Sequence, residues 1–316
     1  MNSIESNATP VLSGDHVTVV MSTFNGATYI QQQLASLYAQ THRPLRILVR
    51  DDGSSDDTRR ILEREQAAGR IDLLAGRDNM GPALSYLELV RQAAASTTAF
   101  IAFCDQDDVW LDDKLARAVS ALSSGHDKSP AMYCSRLEIV GADLTPIGLT
   151  ALPRKIGFGN ALVESIAVGC SIVLNREAVD LVCRHLPAKV LVHDWWCYLV
   201  VSCFGEIVFD GEARIKYRQH GNNTFGVATG KLDRLKRNVR RFSGGEGRHW
   251  QSEQASAFLA AFGDRMPKAQ RQNLVRFVEG RSLWWRRFQL AFSNQYWRQR
   301  IIDDLAWRML VLINRY

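Results

Sequence analysis

The sequence lacks the cysteine pairs and long apolar runs that mark zinc-binding, disulfide-rich and membrane-spanning proteins. Its 316 residues include six cysteines, but no two of them form a C-x-x-C pair. This predicts reduced thiols and no zinc site. No apolar run approaches the roughly 18 residues of a spanning helix, and the first ten residues are too polar for a signal peptide. We therefore expect a cytoplasmic protein that does not cross a membrane.

The glycine-rich fingerprint of dinucleotide-binding folds, G-x-G-x-x-G, is also missing. The first predicted strand, at residues 17–21, is followed instead by the polar segment Ser22–Gly26. This argues against an NAD-type domain. The same segment contains no Lys or Arg, which disfavours a nucleotidyltransferase that needs a basic phosphate loop.

Short apolar runs alternate with helical patterns along the first part of the chain. Such alternation predicts a parallel sheet with right-handed crossovers. Beyond Asp127 the pattern changes, but strands and helices are still predicted. The predicted strands are 17–21, 45–50, 71–74, 98–103, 132–135, 171–174 and 206–209, and the predicted helices include 57–68, 82–95, 177–185 and 193–204.

Three carboxylates lie within four residues at the end of the strand predicted at 98–103. Asp105, Asp107 and Asp108 would repel one another unless a cation neutralised them. Mg²⁺ or Mn²⁺, also held by a substrate's phosphates, is suited to this task at the carboxyl end of a sheet. A solvated turn is the alternative. Asp112 and Asp113 are placed to cap the next helix, which leaves the three carboxylates without a structural role.

A second acidic segment, Asp51-Asp52-Gly53, ends the strand predicted at 45–50. A carboxylate at this position of an α/β unit can accept hydrogen bonds from a ribose or a base. The alternative is a turn marked by Asp-Gly, with Asp56 capping the helix that follows.

Four blocks of the sequence, taken in order, resemble the family-two inverting glycosyltransferases of the GT-A fold. They are Val19–Gly26, Ser36–Thr41, Val49–Asp56 and Asp105–Trp110. The resemblance covers residues 16–226 and implies an α/β fold, with a mixed sheet flanked by helices and a C-terminal helical extension. The expected division is a disordered tail at 1–15, a catalytic domain at 16–228 and a basic, Trp-rich helical region at 229–316. Asp105–Trp110 and the later segment 217–223 also resemble bacterial rhamnosyltransferases of cell-surface polysaccharide synthesis.

This resemblance implies transfer of a sugar from a nucleotide-diphospho-sugar to a saccharide or lipid-linked acceptor. dTDP-rhamnose is the first expected donor and a UDP-sugar the second. The family's D-x-D motif falls on Asp105 and Asp107, which would hold Mg²⁺ or Mn²⁺, with Asp108 able to act instead of or beside Asp107. The segment that would contact the nucleotide comprises Ser22, Thr23, Phe24 and Asn25, together with Asp52, whereas Asp51 is expected to serve the fold.

Inversion needs one general base that deprotonates the acceptor hydroxyl. The family places this base at the start of a helix, often as Glu-Asp, and the matching residues here are His193 and Asp194. A partly desolvated carboxylate beside Trp195 and Trp196 would have a raised pKa, which suits a proton acceptor. The alternatives are that Asp194 only caps the helix and that the two indoles belong to the core instead of stacking on an acceptor sugar.

Arg218 and His220 follow the short run at 215–217 within the family-like segment 217–223. A guanidinium and an imidazole there could bind the diphosphate, with His220 as a metal ligand. The alternative is a structural role for this single histidine. Gly221, Asn222 and Asn223 suit a mobile loop that closes over the donor.

The basic character of the chain belongs to its C-terminal end. Residues 231–316 contain 18 Lys or Arg and 7 Asp or Glu, a net charge of +11, whereas residues 1–230 carry a net charge of −5. Five of the eight tryptophans lie in the same segment, among arginines. Indoles and guanidinium groups suit a membrane interface, which predicts peripheral contact with the cytoplasmic face of the inner membrane. A plain helical appendage and a nucleic-acid surface are the alternatives, but no nucleic-acid motif accompanies these residues.

The alternative from another functional class is a catalytically silent protein of the same fold that binds sugar nucleotides or polysaccharide. All four of the expected acidic residues are present, which argues against a loss of catalytic activity. They are Asp52, Asp105, Asp107 and Asp194.

Overall fold

The computed structural model describes residues 16–76, 78–125, 128–186, 192–220 and 249–316. The tail predicted at 1–15, the loop Gly221–Asn223 and the domain boundary predicted at residue 228 lie outside the described residues.

Eleven strands and eleven helices are found among these residues. The strands are β1 (Val17–Thr23), β2 (Leu45–Asp51), β3 (Asp72–Leu73), β4 (Phe100–Cys104), β5 (Val109–Trp110), β6 (Ala131–Ser135), β7 (Glu138–Val140), β8 (Pro146–Leu149), β9 (Val173–Asn175), β10 (Glu206–Asp210) and β11 (Ile215–Arg218). The helices are α1 (Ile30–Tyr38), α2 (Thr58–Ala67), α3 (Pro82–Ala94), α4 (Lys114–Ser123), α5 (Phe158–Ala161), α6 (Arg176–Arg184), α7 (His193–Phe204), α8 (Trp250–Phe262), α9 (Lys268–Glu279), α10 (Trp284–Ala291) and α11 (Ile301–Leu312).

The central sheet has seven strands in the order β10-β6-β9-β4-β1-β2-β3. β1 pairs in parallel with both β2 and β4, so the winding of the chain changes direction at β1. Open α/β sheets bind ligands at the carboxyl ends of the strands beside such a switch point. The crevice at the ends of β1, β2 and β4 is therefore the expected ligand site.

The mixed sheet that the family resemblance implies is confirmed at β9. This strand runs antiparallel to both β4 and β6, so the sheet is mixed. The alternation that requires parallel crossovers ends before β9, and a 3-10 turn at Gly169–Ser171 leads directly into the strand.

A second, four-stranded sheet has the order β5-β11-β7-β8. Its strands β5, β7 and β8 are only two to four residues long, which explains why periodicity did not predict them. β11 pairs with β5 and thereby brings Arg218 and His220 beside the acidic segment that precedes β5.

The central sheet buries both of its faces. Along β1, Val20 points into one apolar core, whereas Val19 and Met21 point into the other, as the two-residue repeat of a strand requires. The first core also contains residues of α3, α6 and α7 and the inner faces of α8 to α11. Trp196 of α7 packs edge-on against Phe258 of α8, with ring centroids 5.7 Å apart. The C-terminal helices are therefore part of the same core as the sheet.

The helix that follows the acidic cluster is not capped by a side chain. Asp113 occupies the N-cap position of α4, but its carboxylate accepts no capping hydrogen bond and instead pairs with Arg214 at 3.0 Å. The prediction that Asp112 and Asp113 cap this helix is wrong. The Asp113 carboxylate instead forms an ion pair with Arg214, which lies in the connection between β10 and β11. No helix among the described residues has the length and apolar character needed to span a bilayer.

Candidate active site

A cavity of about 580 Å³ lies at the carboxyl ends of β1, β2 and β4. Nine of the side chains proposed from the sequence line it, although they come from five separate parts of the chain. These residues are Ser22, Thr23, Phe24, Asn25, Asp52, Asp105, Asp107, Asp194 and His220. The fold thus brings the predicted nucleotide, metal and base residues to one pocket.

The segment after β1 is held against the acidic motif by one amide side chain. Phe24 donates its N–H to Gln106 Oε1 at 2.9 Å, and Gln106 Nε2 donates to the Phe24 carbonyl at 3.0 Å. Gly26 leaves the space that the amide needs, since a Cβ there would lie 2.1 Å from Gln106 Oε1. The Phe24 ring remains half-exposed at the pocket.

Replacing Gln106 by Ala is expected to weaken nucleoside diphosphate binding about threefold to tenfold, because two hydrogen bonds that preorganise the Phe24 segment are lost. Isothermal titration calorimetry measures the change. Gln92→Ala, on the surface of α3, is the matched control and should leave the affinity unchanged. An unaltered dissociation constant in Gln106→Ala would show that the two hydrogen bonds between Gln106 and Phe24 do not order the site.

The two carboxylates at the end of β2 have different surroundings. Asp51 accepts hydrogen bonds from Thr23 Oγ1 at 3.0 Å and from Ser54 Oγ at 2.6 Å, so it ties the ends of β1 and β2 together. Asp52 lines the pocket, pairs with buried Arg50, and accepts the backbone N–H groups of residues 80 and 81. These bonds connect the pocket floor to the start of α3.

The acidic segment after β4 places two of its carboxylates at the pocket and one behind it. Asp105 and Asp107 line the cavity, whereas Asp108 is fully buried and accepts the backbone N–H of Arg218 at 3.1 Å. Burial and the charge of Asp107 raise the pKa of Asp105 to about 6. Burial, reinforced by Asp105 and Asp107, raises the pKa of Asp108 well above its ordinary value. Such crowding of carboxylates favours a bound cation.

Two groups of side chains in this region have the chemistry of metal ligands. Asp107 Oδ2 lies 2.7 Å from His220 Nε2 at the pocket. Behind it, ligand atoms of Asp105, Asp108 and Cys170 lie within 4.8 Å of one another. Carboxylate and imidazole groups that line an open pocket fit a hard divalent ion that shares ligands with phosphates. In the second group, Asp108 and the thiol of Cys170 are buried, and only Asp105 lines the pocket.

Arg218 lies outside the pocket lining. Its guanidinium donates to the Asp107 carbonyl at 2.7 Å, to Gln32 Oε1 at 2.6 Å and to the Ala142 carbonyl, and it lies over the ring of Tyr29. The side chain is 2% exposed. This placement differs from the direct diphosphate contact that the sequence predicts. It fits a positioning residue that holds the backbone of the acidic segment.

Asp194 lies in the first turn of α7, at the wall of the pocket. Burial raises its pKa to about 7, and the charge of Asp105 adds to the effect. A carboxyl group with this pKa can exchange a proton near neutral pH. Val192, not Asp194, occupies the N-cap position of the helix.

The neighbours of Asp194 pack in the protein interior. Trp195 and Trp196 are buried, and Trp195 Nε1 donates to the Ala161 carbonyl at 2.6 Å. Of the two alternatives drawn from the sequence, the core role of these indoles is confirmed. His193 stacks on Tyr86 with ring centroids 4.0 Å apart, and burial lowers its pKa to about 3, so the imidazole is neutral at physiological pH.

The sequence reasoning missed Tyr86, which lines the pocket from α3. Its hydroxyl lies 2.8 Å from Asp105 Oδ1 and donates to the Cys104 carbonyl at 2.7 Å. An aromatic residue at a helical core position carries no local signal of such a contact. Gln106 was also missed as a site residue, although its place between two carboxylates could have indicated it.

Comparison with known proteins agrees with this architecture. Residues 18–143 match the family model described as glycosyl transferase family 2. The dTDP-rhamnosyl transferase RfbG of Shigella flexneri is 26% identical over 66% of this chain and 74% of its own length. The Escherichia coli protein WfgD, described as a UDP-Glc:alpha-D-GlcNAc-diphosphoundecaprenol beta-1,3-glucosyltransferase, is 32% identical over 52% of this chain and 62% of its own length.

A solved structure shares the fold over nearly the whole chain. It is that of S. aureus TarS, residues 1–349, in complex with UDP-GlcNAc, with a TM-score of 0.55 and 13% identity over 94% of this chain and 90% of that chain. At this identity the likeness concerns the fold alone. Residues 18–143 therefore match the glycosyl transferase family 2 domain, and the chain is similar in sequence and in its GT-A fold to these glycosyltransferases.

Proposed function

We propose that the protein transfers a sugar from a nucleotide-diphospho-sugar to an acceptor hydroxyl, with inversion at the anomeric carbon, during synthesis of a bacterial surface polysaccharide. One observation carries the proposal. A single cavity holds a carboxyl group with a pKa near 7, at Asp194, together with the acidic pair Asp105 and Asp107 and the polar segment after β1. Inverting transfer needs a base and a site for the leaving diphosphate in one pocket.

The nucleotide is assigned to the ends of β1 and β2. Ser22, Thr23 and Asn25 offer polar groups there, and the half-exposed Phe24 ring offers a face on which a base can stack. Asp52 completes this side of the pocket. Its bonds to Arg50 and to the start of α3 hold the carboxylate in place for a ribose hydroxyl.

The diphosphate is assigned to the acidic segment with Mg²⁺ or Mn²⁺. Asp107, Asp105 and His220 are the residues that would hold the ion, and their oxygen and imidazole ligands fit either metal. Bound there, the ion would supply Lewis-acid stabilisation of the charge that develops on the leaving diphosphate. Arg218 keeps the Asp107 backbone in position from behind.

The acceptor is assigned to the Asp194 side of the pocket. The acceptor oxygen attacks the anomeric carbon from the face opposite the diphosphate, and its proton passes to the Asp194 carboxylate. The carbon–oxygen bond to the diphosphate breaks, and the bonding electrons leave with the nucleoside diphosphate. The Trp195 N–H donates to Asp194 Oδ1 and so helps to orient the carboxylate that receives the proton.

The donor sugar is proposed from similarity. RfbG is described as a dTDP-rhamnosyl transferase, which supports dTDP-rhamnose as the first donor to test. WfgD is described as acting on a diphosphoundecaprenol acceptor, which supports a lipid-linked acceptor for this chain as well. A UDP-sugar remains the second choice of donor.

Incubation with a panel of donors tests the function. Nucleoside diphosphate release from dTDP-rhamnose, UDP-glucose, UDP-GlcNAc and GDP-mannose is measured with Mg²⁺ or Mn²⁺, with and without a bacterial lipid extract. We expect release from one donor class that increases when the extract supplies an acceptor. Donor binding without release, under every condition, would instead identify a catalytically silent protein that binds sugar nucleotides.

A further inference from the structure

Two adjacent helices near the C-terminal end carry many of the large apolar side chains that are exposed in the described part of the chain. Ten of the fifteen large hydrophobic residues exposed in the described part of the chain lie between residues 283 and 313. They are Leu283, Trp284, Trp285, Phe288, Phe292, Ile301, Ile302, Leu305, Met309 and Ile313. Scattered exposed apolar residues are normal, whereas a concentration of this kind marks an interaction surface.

The exposed residues follow the same spacing on α10 and α11. On α10 and its C-cap they stand at 284, 285, 288 and 292, and on α11 at 301, 302, 305 and 309, so both sets repeat as i, i+1, i+4 and i+8. At about 100° per residue, each set falls within a stripe roughly 100° wide. The two helices pack against each other. Their stripes therefore form one surface, called here the apolar face.

Packing within the protein does not explain the apolar face. α11 already buries Trp307 and Val311, which stand on its opposite side, and α10 buries Leu290 in the same way. Trp284, in contrast, is 73% exposed and Ile302 is 70% exposed. Both helices thus carry a second set of apolar residues beyond those that attach them to the core.

The charge around the apolar face has one dominant sign. Residues 281–316 contain seven arginines, no lysine and two aspartates, a balance of +5. Three of these arginines pair with carboxylates: Arg286 with Glu279, Arg298 with Glu164 and Arg308 with Asp304. The other four outnumber the remaining aspartate, so the net charge stays positive. A separate cavity of about 690 Å³ lies beside α10 and is lined by Arg276, Trp285, Arg286 and Glu279, with Glu279 paired to Arg286 at 2.7 Å. Arginine and tryptophan together favour contact with phosphate headgroups at an apolar boundary.

We propose that the apolar face of α10 and α11 docks into the interface of a bilayer that contains anionic phospholipids. Helices of 8 and 12 residues are too short to cross a hydrocarbon core of about 30 Å, so they would lie in the membrane surface. The aromatic and aliphatic side chains enter the headgroup region, and the arginines pair with lipid phosphates. This surface is independent of the chemistry proposed for the pocket.

Vesicle co-sedimentation of the full-length protein tests the docking surface. Vesicles of phosphatidylethanolamine with phosphatidylglycerol should bind the protein, and binding should weaken with added salt and without phosphatidylglycerol. The double variant Trp284→Glu/Ile302→Glu should bind the vesicles at least about tenfold more weakly, because two apolar contacts are lost and two repelling charges are added. Ile147→Glu, at an exposed position on β8, is the control and should bind like the wild type.

Circular dichroism and thermal melting confirm that the double variant is folded, and light scattering reports the oligomeric state. Sedimentation that is absent, independent of phosphatidylglycerol, or unchanged in the double variant overturns the proposal. A wild-type dimer that the double variant converts to a monomer, with vesicle binding retained, would identify the apolar face as an interface between two copies. None of these outcomes depends on which sugar the pocket transfers.

Discussion

Replacing Asp194 by Asn is expected to lower kcat for glycosyl transfer by about 10²–10⁴-fold, the range typical of a lost general base. The amide keeps the size and the hydrogen bond to the Trp195 N–H but cannot accept the acceptor's proton. Donor binding should change little, because the predicted nucleotide contacts lie at the ends of β1 and β2. Steady-state kinetics and calorimetric titration of the nucleoside diphosphate measure the two quantities separately.

The pH dependence of wild-type kcat/KM gives the same assignment a second readout. Burial raises the pKa of Asp194 to about 7, so the carboxyl is protonated and unable to act as a base below that pH. Activity should therefore rise with pH through about 7 and level off above it. Asp194→Asn should lose this limb of the profile.

Asp180→Asn provides a matched control for Asp194→Asn. Asp180 lies on the surface of α6, where it pairs with Arg176, and should tolerate the same change without loss of activity. Retention of more than about a tenth of wild-type kcat in Asp194→Asn would exclude Asp194 as the general base.

Replacing Asp107 by Asn is expected to raise the Mg²⁺ or Mn²⁺ concentration needed for half-maximal activity by about 100-fold or more. Loss of a residue that only supports a metal ligand typically lowers metal affinity 10- to 100-fold, and loss of a direct ligand should lower it at least as much. Asp107 faces His220 at the pocket, so the substitution removes a charged oxygen from the proposed metal site. Calorimetric titration with Mn²⁺ measures the loss without relying on turnover.

Asp108→Asn is the informative comparison for the metal site. Burial raises the pKa of Asp108, so its protonated form is favoured and an amide resembles it in size and charge. Metal affinity in this variant should stay close to that of the wild type. If Asp108→Asn lost the metal while Asp107→Asn kept it, the ion would belong to the group of Asp105, Asp108 and Cys170.

Much of the site was predictable because its residues lie at strand ends. The apolar runs that became β1, β2 and β4 are buried on both faces, so their sequence signal is strong. Parallel strands present their carboxyl ends at one edge, so Ser22, Asp52 and Asp105 had to lie near one another once the strands were placed. The start of α7 was also predicted, but its position at the same pocket depends on long-range packing.

Three features could not be predicted from local pattern. The short strands β5, β7 and β8 have too few residues for a period, and the pairing of β5 and β7 with β11 sets the place of Arg218. Arg218 became buried because the carbonyls of Asp107 and Ala142 surround it, which no motif indicates. Predicting the apolar face would have required knowledge of which side of α11 packs against the core.

The sequence by itself determined the order of elements and the chemical groups of the site, because strand periodicity and adjacent carboxylates are local properties. Only the tertiary structure decided which groups share an environment. It separated Asp107 at the pocket from Asp108 in the interior, and it surrounded Asp194 with enough protein to raise its pKa to about 7. Burial and hydrogen-bond partners come from residues distant in the chain, and these long-range contacts set what each carboxylate can do.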